Sequence, residues 1–270
     1  MGTDAVGELY EWVTDLMIHT MDGELHGGYW AGRNPPETMA EAAERLTDLV
    51  AARCRLEPGQ HLLDVGCGNG KATLRVAEAH RVRISAITIS EYQLRLARTL
   101  AAPVAAAVDF HLADMRELPF PDATFDAALA IESISHISDR TQAYAEIRRV
   151  LRPGGVIAVT DFCLRKSIAD PESAAWLETN SANWENGPIL PCADYAAAVR
   201  AAGLELLEFT DIGDAVKPSF PLVADRMRDA RDSVGDRLTD REFSGMVDAM
   251  ERFGTLPELG YALVVARRPF

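Results

Sequence analysis

A chain of 270 residues can bury a full core without staples, as one large domain or one domain carrying a substantial insertion. Its net charge of −14, with no Lys/Arg stripe interleaved with aromatics, excludes a binder of phosphate backbones, and no run of about 18 apolar residues is present to span a membrane. Cys54, Cys67, Cys163 and Cys192 show no C-x-x-C spacing, and the start MGTDAVGELYEW has no basic region leading into an apolar run, so a reducing cytoplasm is the expected location.

Residues 36–53 place Met39, Ala42, Leu46, Leu49 and Val50 on one face and predict an amphipathic helix. Short apolar strands separated by helices follow: HLLDVG, VRISAITI, AVDFHLAD, FDAALAIES and GVIAVTDF. Between the last two, SDRTQAYAEIRRVLRPGG predicts a helix capped by Asp139 with Gln142 three residues on. Its buried stripe is Ala143, Ile147, Val150 and Leu151, and Pro153 and Gly154 stop it. Uniformly apolar strands alternating with helices indicate a parallel sheet covered on both faces, so the expected class is α/β, doubly wound. After Cys163 the pattern changes. Residues 164–190 mix Pro, Asn and Trp without a period, then ADYAAAVRAAG and LELLEFTDI resume the alternation. Residues 213–256 form a second insertion with Phe243, Met246, Val247, Met250 and Phe253 at helical spacing, and YALVVARRP closes as a strand. The reading is one domain over 1–270. Segments 1–35, 164–190 and 213–256 are candidates for a cap over the carboxyl edge of the sheet, where such folds bind ligands. The other use of the apolar stripe is as core or as a homodimer contact.

LLDVGCGNGKATLRVA joins the first sheet strand to a helix through Gly66, Gly68 and Gly70, glycines that let the backbone approach a ligand and aim helix N-terminal amides at it. A nucleotide P-loop is excluded, because Val65 stands where its first glycine belongs and Ala72 where it needs Ser or Thr. A dinucleotide site is disfavoured: Lys71 holds the position of the third glycine, and the second strand ends in Thr88, Ile89 and Ser90 with no acid. Asp64, just before the glycines, would repel a pyrophosphate but suits a ligand with an ammonium group and no phosphate, such as S-adenosylmethionine.

With that acid in place the sequence resembles the class I S-adenosylmethionine-dependent methyltransferases, whose first motif, acid-x-G-x-G-x-G, is matched by Asp64, Gly66, Gly68 and Gly70. HLADMRELPFPDATFDAALA is similar to the family stretch that holds the adenine, which assigns Ala113, Asp114 and Met115 to that role, and VLRPGG before a strand is a further family mark. The usual ribose acid is missing. TISEYQ is instead similar to the small-molecule and lipid subgroup, which implies Thr88, Ile89 and Gln93 as partners of the ribose hydroxyls. At the N-terminus, Tyr10 followed by LHGGYW resembles natural-product O-methyltransferases of the rebeccamycin sugar type and relatives acting on tocopherols or sarcosine. His26, Gly28, Tyr29 and Trp30 are the matched residues. The resemblance runs from Tyr10 through GYALVVARRP. It implies a Rossmann-like seven-stranded sheet with helical cap insertions, S-adenosylmethionine as cofactor, S-adenosylhomocysteine as product, and a small-molecule acceptor.

Methyl transfer is an in-line displacement, so the chain has to align an acceptor, exclude water and remove a proton if the acceptor is a hydroxyl. Strands four and five end at Glu132 and Asp161, which brings ESISH and TDF to the same edge. In the rebeccamycin-type enzymes a His-His pair follows ES. Here Ser135 replaces the first and His136 keeps the second. His136 is therefore the candidate general base and Asp161 its orienter or a substrate ligand. Ser135 and His26 are candidates for substrate contact. Tyr10, Tyr29 and Trp30 are candidates for an aromatic wall near the sulfonium, and Glu132 for the cofactor's amino group or for stabilising a cation. Carbon methylation of an alkene or prenyl-type substrate, and a non-methylating cyclase that retains S-adenosylmethionine, are the alternative activities. No His, Cys and Asp cluster has ligand spacing, so no metal is expected.

Overall fold

A computed structural model describes residues 14–32, 38–101, 107–183, 187–234 and 239–270. Helix α1 (Met39–Arg53) begins at a capping box: the Thr38 hydroxyl accepts from the Glu41 amide and the Glu41 carboxylate reaches back to the Thr38 N–H. Then come β1 (His61–Val65), α2 (Lys71–His80), β2 (Arg83–Thr88), α3 (Glu91–Ala101), β3 (Val108–Leu112) and β4 (Phe125–Ile131). A short 3₁₀ turn, Ile134–His136, leads to α4 (Arg140–Val150), where Asp139 caps the helix by accepting from the Gln142 amide at 3.1 Å. The chain continues through β5 (Leu151–Leu164), α5 (Pro171–Asn183), α6 (Cys192–Ala201) and β6 (Glu205–Asp211). It ends with α7 (Gly213–Val216), α8 (Ser219–Asp229), α9 (Arg231–Val234), α10 (Asp240–Thr255) and β7 (Leu259–Arg267).

The strands form one seven-stranded sheet in the order β3-β2-β1-β4-β5-β7-β6. Six run in the same direction, and β7 runs antiparallel between β5 and β6. The strand order reverses between β1 and β4, which pair through Asp64 and Leu129, so the carboxyl ends of these two strands flank the crevice where such sheets take ligands. Alternation along β1 feeds two cores. Leu62 belongs to the cluster under α1, α8 and α10, and Leu63 to the one under α4 and α6, each 0 % exposed. Truncating either to Ala should destabilise the fold by about 2–5 kcal/mol.

The stripe of residues 243–253 is packed inside this chain: Phe243, Val247, Met250 and Phe253 are buried on α10, facing Phe220, Val223 and Met227 of α8. Phe253 also meets Phe162 of β5 and Trp176 of α5, at ring distances of 5.5 and 5.6 Å, so both insertions share one aromatic cluster with the sheet. Cys163 and Cys192 meet as free thiols with their sulfurs 2.7 Å apart. Among the described residues no helix is long and apolar enough to cross a membrane.

Candidate functional site

A cavity of about 390 Å³ opens at the switch between β1 and β4. That volume is within the range of a small-molecule or cofactor site. Its floor is the glycine turn. Gly66 has φ +88°, and a Cβ built on it would lie 2.3 Å from Ser133 Cβ, so the turn after β1 is pressed against the turn after β4 and admits no side chain. Gly70, at φ +83°, starts α2 without a side-chain cap. Asn69 ties this turn to the N-terminal segment by donating to the Gly23 carbonyl at 2.8 Å.

From β2 and β3 come the residues expected around the ribose and adenine. Thr88, Ile89, Gln93, Ala113, Asp114 and Met115 all line the cavity. The Thr88 hydroxyl donates to Gln93 Oε1 at 2.9 Å and accepts from the Ser90 amide at 3.2 Å, which fixes both side chains at the strand end. Asp114 is half-buried, which opposes its charge, but the Arg116 side chain and backbone amide hold its carboxyl below the usual range.

Three carboxylates line the cavity together with His26: Glu24 and Asp64, both buried, and Glu132, which is partly buried. Asp64 accepts from the Thr73 hydroxyl at 2.6 Å, yet burial pushes its carboxyl up to about 6. Glu132 is pushed upward by burial as well. Its Oε1 accepts from the Gly27 amide at 2.8 Å and the Tyr261 hydroxyl at 2.7 Å, and its backbone sits at φ +49°, a left-handed conformation that a side chain adopts only when its surroundings impose it. Glu24 pairs with Lys71 at 3.0 Å. The His26 ring is engaged at both nitrogens: Nδ1 lies 2.9 Å from the Gly27 carbonyl and Nε2 3.3 Å from the Thr47 hydroxyl. A carbonyl can only accept, so the Gly27 contact puts a proton on Nδ1, and Nε2 also lies 3.9 Å from Glu24 Oε2. Three acids on one cavity wall favour a cationic ligand and disfavour a phosphate, so these residues fit the ammonium and sulfonium of S-adenosylmethionine.

His136 lines the same cavity, on the 3₁₀ turn, with Ile137, Ser138, Gly187 and Pro188 also on the wall. Other expected residues lie outside the wall. Ser135 is buried behind His136, and its carbonyl accepts from the Gly187 amide at 2.9 Å. Asp161 is 1 % exposed and sits below the wall, where its Oδ1 accepts from the Phe162 amide at 2.9 Å. Burial and the nearby Glu132 charge push its carboxyl up to about 7, against the pull of Arg140. Tyr29 and Trp30 do not line the cavity: the Tyr29 amide bonds to Ala42 of α1, and the Trp30 indole donates to Ser219 of α8 at 2.8 Å. Tyr10 lies outside the described residues. Glu24, Asn69 and the pair Gly187–Pro188 line the cavity without having been singled out as site residues. Glu24 and Gly187–Pro188 nevertheless fall within the segments 1–35 and 164–190 expected to cap this edge, and Asn69 lies between Gly68 and Gly70 of the glycine turn. Among the described residues no group of three His, Cys, Asp or Glu is placed to hold a metal ion.

Residues 63–159 match the family model described as a methyltransferase domain. The chain is 38 % identical to the O-methyltransferase resE of Aspergillus sclerotiorum, covering 97 % of this chain and 96 % of that protein. It is 36 % identical to the 27-O-demethylrifamycin SV methyltransferase of Amycolatopsis mediterranei, covering 98 % and 97 %. Among solved structures it is similar to the [4+2]-cyclase SpnF, with a TM-score of 0.85, 34 % identity and coverage of 98 % and 95 %.

Proposed function

The chain belongs to the S-adenosylmethionine-dependent methyltransferases, and from that premise we propose that it methylates a hydroxyl of a small secondary metabolite in the cytoplasm. The carrying observation is a single cavity whose wall holds the carboxylates Glu24, Asp64 and Glu132 together with His136, Ile137 and Pro188. The cofactor supplies an electrophilic methyl group. Asp64 and Glu132 would hold its charged methionyl end, Thr88, Ile89 and Gln93 its ribose, and Ala113, Asp114 and Met115 its adenine. Gly66 and Gly68 let the backbone close on it, with Glu24 and His26 of the N-terminal segment on the same wall. The remaining work falls to the residues around His136. Ile137 and Pro188 present apolar surface to the acceptor and exclude water, and His136 takes the hydroxyl proton as the oxygen attacks, a contribution of roughly 10²- to 10⁴-fold. Asp161, buried on β5 outside the cavity wall, is the residue assigned to orient the His136 imidazole. His26, with both ring nitrogens engaged, acts as a substrate contact beside Glu24. The segments 1–35, 164–190 and 213–256 serve as the cap.

The 36 % identity to a 27-O-demethylrifamycin SV methyltransferase supports a bulky, hydroxyl-bearing natural product as acceptor. A screen of polyketide, glycoside and alkaloid scaffolds, with 27-O-demethylrifamycin SV among them, tests the reading by mass. One added methylene with equal release of S-adenosylhomocysteine is expected. Methylation at carbon only would overturn the choice of oxygen. A second reading is favoured by the similarity to the cyclase SpnF: cofactor retained as a structural ligand while an acceptor rearranges. Conversion of a scaffold without release of S-adenosylhomocysteine would favour it.

A further inference from the structure

Below the turn that carries His136 lies a cluster of polar side chains almost without solvent. Arg140 is 2 % exposed, Asp161 1 %, and Tyr144 and Tyr195 0 %. The Arg140 guanidinium lies over the Tyr195 ring, with Cζ 5.1 Å from its centroid, and its charge acts on Asp161 and Tyr144. Its Nη2 donates to the Pro188 carbonyl at 2.9 Å. Arg140 Nε and Nη1, Asp161 Oδ2 and both tyrosine hydroxyls have no direct protein partner among the described residues. Buried guanidinium and carboxylate groups are expensive to desolvate and persist where they hold something in register. The first residue of a helix such as α4 has no need of either.

What the cluster touches supplies the reason. Gly187 and Pro188 form the cavity wall next to His136, Ile137 and Ser138. A Cβ built on Gly187 would lie 3.2 Å from the Ile137 carbonyl oxygen and from Ser138 Cα, so this wall rests backbone against backbone on the His136 turn. The Gly187 amide donates to Ser135, and the Leu164 amide at the end of β5 donates to Leu190 at 2.8 Å. Arg140 reaches the same wall from below, between Pro188 and the carboxylate of β5.

We infer that Arg140 is a positioning residue for methyl transfer: bonded to the Pro188 carbonyl and facing the Asp161 carboxylate, it locks the wall at Gly187 and Pro188 to the turn that carries His136. The inference rests on the reading of that end of the cavity as the acceptor end. A wall free to drift would change the angle at which an acceptor oxygen meets both the methyl group and the imidazole, and in-line transfer tolerates little misplacement.

The test needs no acceptor. With S-adenosylhomocysteine bound, amide exchange is followed in the peptides covering residues 135–138 and 187–191. In Arg140→Met, exchange is expected to be about tenfold faster in both, while the affinity for S-adenosylhomocysteine by calorimetric titration changes by less than about twofold. Arg140→Lys keeps a cation opposite Asp161 and should recover part of the protection. The infrared band of the protonated Asp161 carboxyl, identified by its loss in Asp161→Asn, gives a readout that loosened packing alone would not move. It should persist to higher pH in Arg140→Met and return toward the parent in Arg140→Lys. The groups facing Asp161 are Arg140 and Tyr144 from α4, Tyr195 from α6, Glu132 after β4, Cys163 on its own strand and Tyr261 from β7. Unchanged exchange in an Arg140→Met protein that still binds S-adenosylhomocysteine would overturn the inference, as would a band that does not shift. If Arg140→Met does not fold, Gly187→Ala loads the same wall from the other side. It is expected to raise exchange in both peptides, and protection retained at 135–138 would count against the lock. A parent protein that binds no S-adenosylhomocysteine would instead sink the cofactor reading and leave the exchange comparison standing.

Discussion

Two parts of the cavity wall are built in different ways. The carboxylate end is made at and just after the carboxyl ends of β1 to β4, so Asp64, Gly66, Thr88, Asp114 and Glu132 are held by sheet register and backbone geometry, with Glu24 added from the N-terminal segment. The His136 end is assembled from a three-residue 3₁₀ turn, a wall that arrives after α5, and a buried Arg140 that stitches the two together. The first end is rigid because strands position it. The second depends on side chains and loops, where a scaffold can present an acceptor-specific surface. A change at the first end should therefore appear in binding of the cofactor, and a change at the second in turnover with binding intact.

The largest effect tests that division directly. His136→Ala is expected to lower turnover about 10²- to 10⁴-fold while the affinity for S-adenosylhomocysteine stays within about twofold, measured by single-turnover kinetics and calorimetry. Turnover near the parent value would remove His136 from proton transfer and dissolve the contrast. Gly66→Ala should do the opposite. A methyl placed 2.3 Å from Ser133 Cβ, at φ +88°, forces the two turns apart, and affinity for S-adenosylhomocysteine should fall by about 10²-fold. If binding survives that substitution, the floor of the cavity is softer than its backbone geometry implies.

Much of this contrast was legible before the fold was known. Adjacent apolar residues such as Leu62 and Leu63 announce a strand buried on both faces, and Asp64 with its glycines announces the ligand end, because the whole signal lies within a few residues. The true start of α1 was readable too: TMAE carries the Thr38–Glu41 capping box, while the apolar period alone points to residue 36. The reversal of β7 was not legible, since YALVVARR reads as a buried strand in either direction and only its neighbours decide. Arg140 looks like a solvated residue at a helix start, and its burial comes from α6 and the chain after α5 closing over it. Asp161 does not end its strand as the sequence suggests: β5 runs on to Leu164, because Phe162, Cys163 and Leu164 go on pairing with β7, and the Asp161 side chain lies outside the cavity wall. Trp30 is similar: its motif marks the N-terminal segment, while the partner that claims its indole, Ser219, lies in the distant second insertion.

A smaller effect separates local order from ligand contact at the carboxylate end. Thr88→Val keeps the shape of the strand end but strands Gln93 Oε1 and the Ser90 amide, both of which use the Thr88 hydroxyl. If those groups meet the ribose, affinity for S-adenosylhomocysteine should fall about tenfold, roughly the loss of a well-made hydrogen bond and its neighbour. A lower melting temperature with unchanged affinity would confine Thr88 to holding the turn.

The last comparison sets the buried carboxylate of each end against the other by pH. Asp161, raised to about 7 in the folded protein, titrates near 4 in an unfolded chain, so the folded state holds its proton more tightly. The stability it contributes is full below about pH 4 and is lost as pH rises through about 7. Asparagine has nearly the shape of the protonated acid and cannot ionise. The melting temperature of Asp161→Asn relative to the parent should therefore climb by a few degrees between about pH 5 and about pH 8, while groups common to both proteins cancel. Asp64, raised to about 6, predicts the same sign for Asp64→Asn over a window reaching about one unit less far up. The two variants should part company when S-adenosylhomocysteine is added: Asp64→Asn loses affinity because its carboxylate lines the cavity, and Asp161→Asn keeps it because its carboxylate does not. A melting-temperature gap for Asp161→Asn that stays flat across this pH range would mean that Arg140 neutralises Asp161 fully in the folded chain, so that the acceptor end holds a settled ion pair where the cofactor end holds strained acids.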